Sequence, residues 1–93
     1  MIAPADADVL RLPRGVRLKR CEVRDRWFLL APERALALDP VAVAVLGALD
    51  GRRDFAAVTA KLAAEFSAPP ERVAADARGF LARLMEGRMV ETT

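Results

Sequence analysis

The stretch Leu30-Ala31-Pro32-Glu33-Arg34-Ala35-Leu36-Ala37-Leu38-Asp39-Pro40 separates a strand-like half of the chain from a helix-like half. Ala31-Pro32-Glu33 signals a turn, because proline presets φ for the first central position and has no N–H to give to a ladder. Arg34-Ala35-Leu36-Ala37-Leu38 then reads as a strand: Leu36 and Leu38 share one face at the period of two, and only alanines stand on the other. Asp39-Pro40 ends it, with a carboxylate suited to capping a helix and a proline suited to the first helical position. If this is the last strand of a small sheet, its outer edge is free. A free edge can bind an extended peptide.

Working back from that turn, Trp27-Phe28-Leu29-Leu30 is an apolar strand and Arg24-Asp25-Arg26 a short polar turn before it. Val16-Arg17-Leu18-Lys19 alternates as a half-buried strand after the break at Gly15. Its phase shifts at Lys19-Arg20, since Cys21 and Val23 would fall on the opposite face from Val16 and Leu18, and a bulge there would restore the register. The region therefore predicts a three-stranded meander ending in residues 34–38. Residues 1–14 carry Pro4, Asp6, Asp8 and Pro13 without a sustained period and read as a mostly flexible tail. Only Val9-Leu10-Arg11-Leu12 has the character to pack.

Working forward, Val41-Ala42-Val43-Ala44-Val45 alternates like a strand, but the Asp-Pro start, the Asp50-Gly51 stop and the length predict a helix over 40–49. Val45, Leu46 and Leu49 continue its apolar face. Asp54 caps a second helix on which Phe55, Val58, Thr59, Leu62 and Phe66 share one narrow arc. Ser67-Ala68-Pro69-Pro70 is a connector, and the third helix follows over 71–86, roughly 24 Å long. Gly87 ends it, Met89-Val90 fold back onto the core, and residues 91–93 read as a C-terminal tail. On the third helix Val73, Ala74, Ala77, Phe80, Leu81, Leu84 and Met85 cover about 140° of the wheel, wider than one core-facing stripe needs. Arg72, Asp76, Arg83 and Glu86 form the polar side. Such a face serves either a helix wedged between two others or an apolar groove with polar rims, and the wheel leaves both open.

A chain of 93 residues makes one domain, and 54% hydrophobic with 30% charged residues is the composition of a folded one. The net charge of +2 arises from interleaved signs, as in Asp50-Gly51-Arg52-Arg53-Asp54, with no one-sign run to track phosphates. Cys21 is the single cysteine and histidine is absent. An internal disulfide and a Cys/His metal cluster are thereby excluded, and the usual general base is missing, so no enzyme activity, metal or cofactor is expected. Without a secretory leader pattern or an apolar run of ~20 residues, the chain is expected to be cytoplasmic and not to enter a membrane.

Three strands followed by three helices with tight connectors predict an α+β fold of the winged helix-turn-helix type. That architecture serves two common ends, insertion of a helix into a DNA groove and capture of a peptide along a strand edge. A recognition helix would carry exposed basic and amide side chains near its start. The third helix instead begins Glu71-Arg72, carries Asp76 and has no Asn, Gln or Lys, while the second offers only Lys61. This argues against nucleic acid, and a winged-helix DNA-binding protein, drawing on Arg52, Arg53 and Arg72, is the alternative.

From Gly15 to Val90 a series of short pieces occurs in order: Pro13-Arg14-Gly15-Val16-Arg17-Leu18, Leu29-Leu30-Ala31-Pro32-Glu33, Ala37-Leu38-Asp39, Leu46 with Leu49-Asp50-Gly51, and Phe66 before Pro69-Pro70. Val73-Ala74-Ala75-Asp76 leading to Phe80-Leu81, Leu84 and Gly87 completes it. In this order and spacing residues 15–90 resemble the pyrroloquinoline quinone (PQQ) biosynthesis protein D family, PqqD, of the wider group of precursor-peptide recognition domains. The chain departs from the family in Leu38-Asp39, where Leu-Asn is frequent, and in the small Ala42-Val43-Ala44-Val45 of the first helix. The resemblance implies a peptide chaperone that binds the precursor peptide PqqA and presents it to PqqE, a radical S-adenosylmethionine (SAM) enzyme that cross-links a Glu and a Tyr in it. It also implies no catalytic role, and in some genomes a fusion to PqqC. The peptide would lie as an added strand beside Arg34, Ala35, Leu36, Ala37 and Leu38, with Val73, Asp76, Ala77, Phe80, Arg83 and Leu84 of the third helix as the other wall. In that reading Arg34, Asp76 and Arg83 orient charged side chains at the rim.

Overall fold

A computed structural model describes residues 3–93; Met1 and Ile2 lie outside the described residues. A short strand β1 (Leu10–Arg11) precedes a meander of β2 (Arg17–Cys21), β3 (Arg26–Ala31) and β4 (Arg34–Leu38). Three helices follow, α1 (Pro40–Gly47), α2 (Phe55–Phe66) and α3 (Pro70–Glu86), and a last strand β5 (Glu91–Thr92) returns to pair antiparallel with β1. The sheet order β2-β3-β4 and the three helices make the expected α+β architecture, with the β1–β5 pair added to it.

Pro32 and Glu33 form the two-residue link between β3 and β4, and Glu33 takes φ 62°, the sign that the second centre of a type II turn requires. Register across the meander is unbroken: Leu18, Leu29 and Leu36 stand opposite one another, as do Arg20, Trp27 and Leu38. The bulge expected at Lys19-Arg20 is therefore not formed. The expectation rests on Cys21 and Val23 both needing an inward face, but Cys21 keeps regular register opposite Arg26 on the outer face, half-buried, and Val23 lies in the turn after β2 and is 96% exposed.

The alternating valines are helical. Asp39 Oδ1 accepts the Ala42 N–H at 2.7 Å, fixing the start of α1. That helix stops at Gly47, short of the expected boundary, where the Ala48 N–H closes onto the carbonyl of Ala44 at 3.2 Å. Asp54 Oδ1 caps α2 in the same way through Ala57 N–H at 2.9 Å. The two helices, α3 and the inner face of the sheet enclose Leu29, Val45, Leu46, Phe55, Val58, Leu62 and Leu81, and Met89 with Val90 fold back onto them. The return after α3 is a Schellman closure: Met89 N–H donates to Leu84 O at 2.8 Å and Arg88 N–H to Met85 O at 3.1 Å. Arg88, with φ 58°, holds the left-handed position there, one residue beyond the glycine that the sequence suggests as the stop.

Both ends differ from the sequence reading. Leu10 is fully buried, as expected of residues 9–12, but the packing reaches further upstream: Pro4 is fully buried too, while Ala3, Ala5, Asp6 and Ala7 stay exposed. The physical reason is that the first N–H groups of α2 have no partner inside the helix. Phe55 N–H donates to Asp8 O at 2.7 Å and Ala56 N–H to Asp6 O at 3.0 Å, so the segment serves as their acceptor. Arg78 on α3 holds it from the other side, donating to Pro4 O at 2.9 Å and Asp6 Oδ1 at 2.6 Å while its guanidinium lies 4.8 Å from the centre of the Phe55 ring. At the C-terminus, Glu91 and Thr92 form β5, and Arg11 donates to Glu91 Oε2 at 2.8 and 3.0 Å.

Candidate functional site

β4 is an edge strand of the meander, as β2 is on the opposite side. Ala31 and Arg34 close a two-residue hairpin, and such a closing pair is hydrogen-bonded, after which bonded and non-bonded pairs alternate along the ladder. Arg34, Leu36 and Leu38 therefore point their N–H and C=O groups at β3. Those of Ala35 and Ala37 point outward, to the edge.

Two ties relate α3 to the ends of β4. At one end the Arg34 guanidinium reaches the carbonyl of Gly87, just past α3, at 3.4 Å. At the other, β4 runs through Leu38 into α1, whose Val41 and Val45 share a groove of about 220 Å³ with Leu62, Phe66, Ala68, Arg72, Val73, Asp76 and Ala77. Strand and helix thus pass each other in opposite directions. Arg72 and Asp76 stand 4.0 Å apart at the groove rim, an exposed pair of small energetic weight.

The residues singled out in the sequence separate into groups. Ala35 and Ala37 are exposed, Leu36 is 39% exposed, and Leu38 is in the core. Ala77 and Leu84 are buried, while Val73 and Phe80 are half-buried against the core. Val73, Asp76 and Ala77 meet in the helical groove; Arg83 borders a different depression, with Ala3, Gly79, Ala82 and Glu86. The sequence reading missed the groove's other wall. Val41 at 56% and Phe66 at 46% exposure are its most open apolar residues. Phe66 shares the core arc of its helix but sits in the last turn, where the connector turns away, and Val41 sits in a first turn with none before it to cover it. Among the described residues no group of three or more His, Cys, Asp or Glu side chains could hold a metal ion, and no helix is long and apolar enough to cross a membrane.

Residues 26–90, from β3 to the fold-back after α3, match the family model described as coenzyme PQQ synthesis protein D (PqqD). The chain belongs to the PqqD family. Its relatives include the PqqA binding protein of Rhizobium meliloti, 47% identical over 85 residues that cover 91% of this chain and 87% of that one. The bifunctional coenzyme PQQ synthesis protein C/D of Methylorubrum extorquens is 46% identical over 85 residues, 91% of this chain but 23% of that longer one. Among solved PqqD structures, the solution structure of the PqqD truncation of Methylobacterium extorquens PqqCD superposes with a TM-score of 0.82 at 45% identity, covering 96% and 95% of the two chains. That truncation is described as a functional, stand-alone recognition element for ribosomally synthesized and post-translationally modified peptides. The crystal structure of PqqD from Xanthomonas campestris gives a TM-score of 0.58 at 38% identity over 84% and 87% of the chains.

Proposed function

We propose that this PqqD-family chain is a non-catalytic peptide chaperone in PQQ biosynthesis, which binds the precursor peptide PqqA as an added strand on β4 and presents it to the radical SAM enzyme PqqE. The observation that carries the reading is the edge position of β4, with the backbone of Ala35 and Ala37 directed outward, while the apolar groove, lined by residues of the three helices and a connector and none of β4, lies past the strand's end at α1. Relatives of the chain are named for binding PqqA, which supports the identity of the peptide. Five residues of strand span roughly 17 Å and pair with about five of the peptide. Main-chain bonds give affinity with little regard to sequence, and side-chain pockets give selectivity. Alternate side chains of the added strand turn inward toward Leu36 and Phe80, and the groove beyond Val41 takes an apolar one. Arg34, Asp76 and Arg83 supply charges along the helix side.

The test is titration of the isotopically labelled protein with PqqA, followed by backbone amide NMR shifts. Shifts concentrated at Arg34–Leu38 and at residues 73–84 are expected. No shift at micromolar peptide, with a response to duplex DNA instead, would overturn the reading.

A further inference from the structure

The side of the meander turned away from the helices carries a second surface. Arg17, Lys19 and Cys21 of β2, Arg26, Phe28 and Leu30 of β3, and Ala35 and Ala37 of β4 share it, by the alternation that puts Leu18, Leu29 and Leu36 on the inner face. Phe28 and Leu30 are half-buried, though neither belongs to the core nor is among the residues packed on it, and Leu30 borders a shallow depression with Gly15, Val16, Arg17 and Pro32. Register sets Phe28 between Lys19 and Ala37, and Leu30 between Arg17 and Ala35. The result is an apolar centre bordered along β2 by cations. Arg17, Lys19 and Arg26 are exposed, and among the described residues none of the three is ion-paired. The nearest acids by sequence, Glu22, Asp25 and Glu33, lie in the hairpin turns rather than on the face, and Asp25 is held by Arg20.

We propose that this outer sheet face is the docking surface for the enzyme that modifies the bound peptide, and that the enzyme meets it with an acidic rim around an apolar patch. The charge is the first argument: three free cations with no acid among them select a partner of opposite sign. A second copy of this chain is disfavoured by the same charges, because a two-fold pairing of the face would set cation against cation. Geometry is the second argument, and it rests on the strand-addition reading above. A strand added to β4 extends the sheet, so every other side chain of the peptide emerges on the outer face beside Ala35 and Ala37. A protein seated over Phe28 and Leu30 then lies against those emerging side chains. The inward-facing ones remain to hold the peptide against α3.

The experiment measures two affinities for each variant of the full chain by calorimetry, one for purified PqqE without peptide and one for PqqA without enzyme. Arg17→Glu with Lys19→Glu, and separately Phe28→Thr, are expected to weaken PqqE binding by about tenfold or more, the wild-type affinity falling with added salt, while PqqA binding stays within about twofold. Thermal melts establish that each variant is folded. Unchanged PqqE affinity in folded variants overturns the proposal, as does a wild-type dimer that the charge reversal abolishes. Equal loss of both affinities overturns the separation of the two surfaces. Loss of PqqE binding in a chain whose wild type shows no PqqA binding at β4 leaves the docking face standing and removes the peptide reading instead.

Discussion

Replacing Ala37 by proline separates the edge from the sheet that carries it. Ala37 stands opposite Phe28, but by the alternation from the Ala31–Arg34 closing pair its N–H points away from β3. Proline on an edge strand with that N–H outward is tolerated, so Ala37→Pro is expected to fold with the meander intact. What it removes is one donor to an added strand, about 1 kcal/mol. The pyrrolidine ring also holds the incoming backbone off the edge and stretches the neighbouring bond, which makes the total about 2 kcal/mol, a loss of roughly 30-fold in peptide affinity. Leu36→Pro is the control. Leu36 pairs with Leu29 and its N–H is part of the ladder, so the same substitution one residue away strikes the fold, by about 3 kcal/mol or more. Fluorescence anisotropy with labelled PqqA reads the first effect, and circular dichroism melts read the second. A folded Ala37→Pro chain with wild-type affinity would refute strand addition at β4.

Three further outcomes follow from contacts away from the edge. Arg78→Ala loses the bonds to Pro4 O and Asp6 Oδ1 and the stacking on Phe55; since its side chain is 39% exposed, the expected cost is held to about 2 kcal/mol, read as a fall of about 10 °C in Tm. Arg88→Gly relieves a left-handed conformation at φ 58° and is expected to stabilise the chain by about 1 kcal/mol in denaturant melts. The Asp50 carboxyl is held below its ordinary value of 3.8 by hydrogen bonds from the backbone N–H of Arg53 and then of Arg52. A lowered folded value means that the stabilisation is present above the ordinary value and is lost as pH falls through the folded one, so the Tm advantage of wild type over Asp50→Asn is expected at neutral pH and shrinks below pH 3.8.

The meander and the helices were legible because their signals are local. Pro32 marks the hairpin, Asp39 and Asp54 supply caps within three residues of the N–H groups they satisfy, and the arc of Phe55, Val58 and Leu62 is a property of one helix. The N-terminal segment was misread because its bonds are distant: Asp6 and Asp8 serve the start of α2, and Pro4 is held by Arg78, 74 positions away. No periodicity records such partners. The bulge at Lys19-Arg20 follows from assigning Cys21 and Val23 to the inner face, whereas Cys21 stands on the outer face and a turn removes Val23 from the strand. Within the candidate site, the edge was readable from strand order alone, whereas the groove joins Val41, Phe66 and Val73 from three helices and exists only once they pack.

The clasp between β1 and β5 also sets an order of folding. Its pairing joins Arg11 to Glu91, 80 positions apart, while the meander closes through turns of two and four residues. Closing the longer loop costs more chain entropy and gains little until the helices between are docked. The ends are therefore expected to join late in folding. A substitution such as Arg11→Ala should speed unfolding and leave the folding rate nearly untouched.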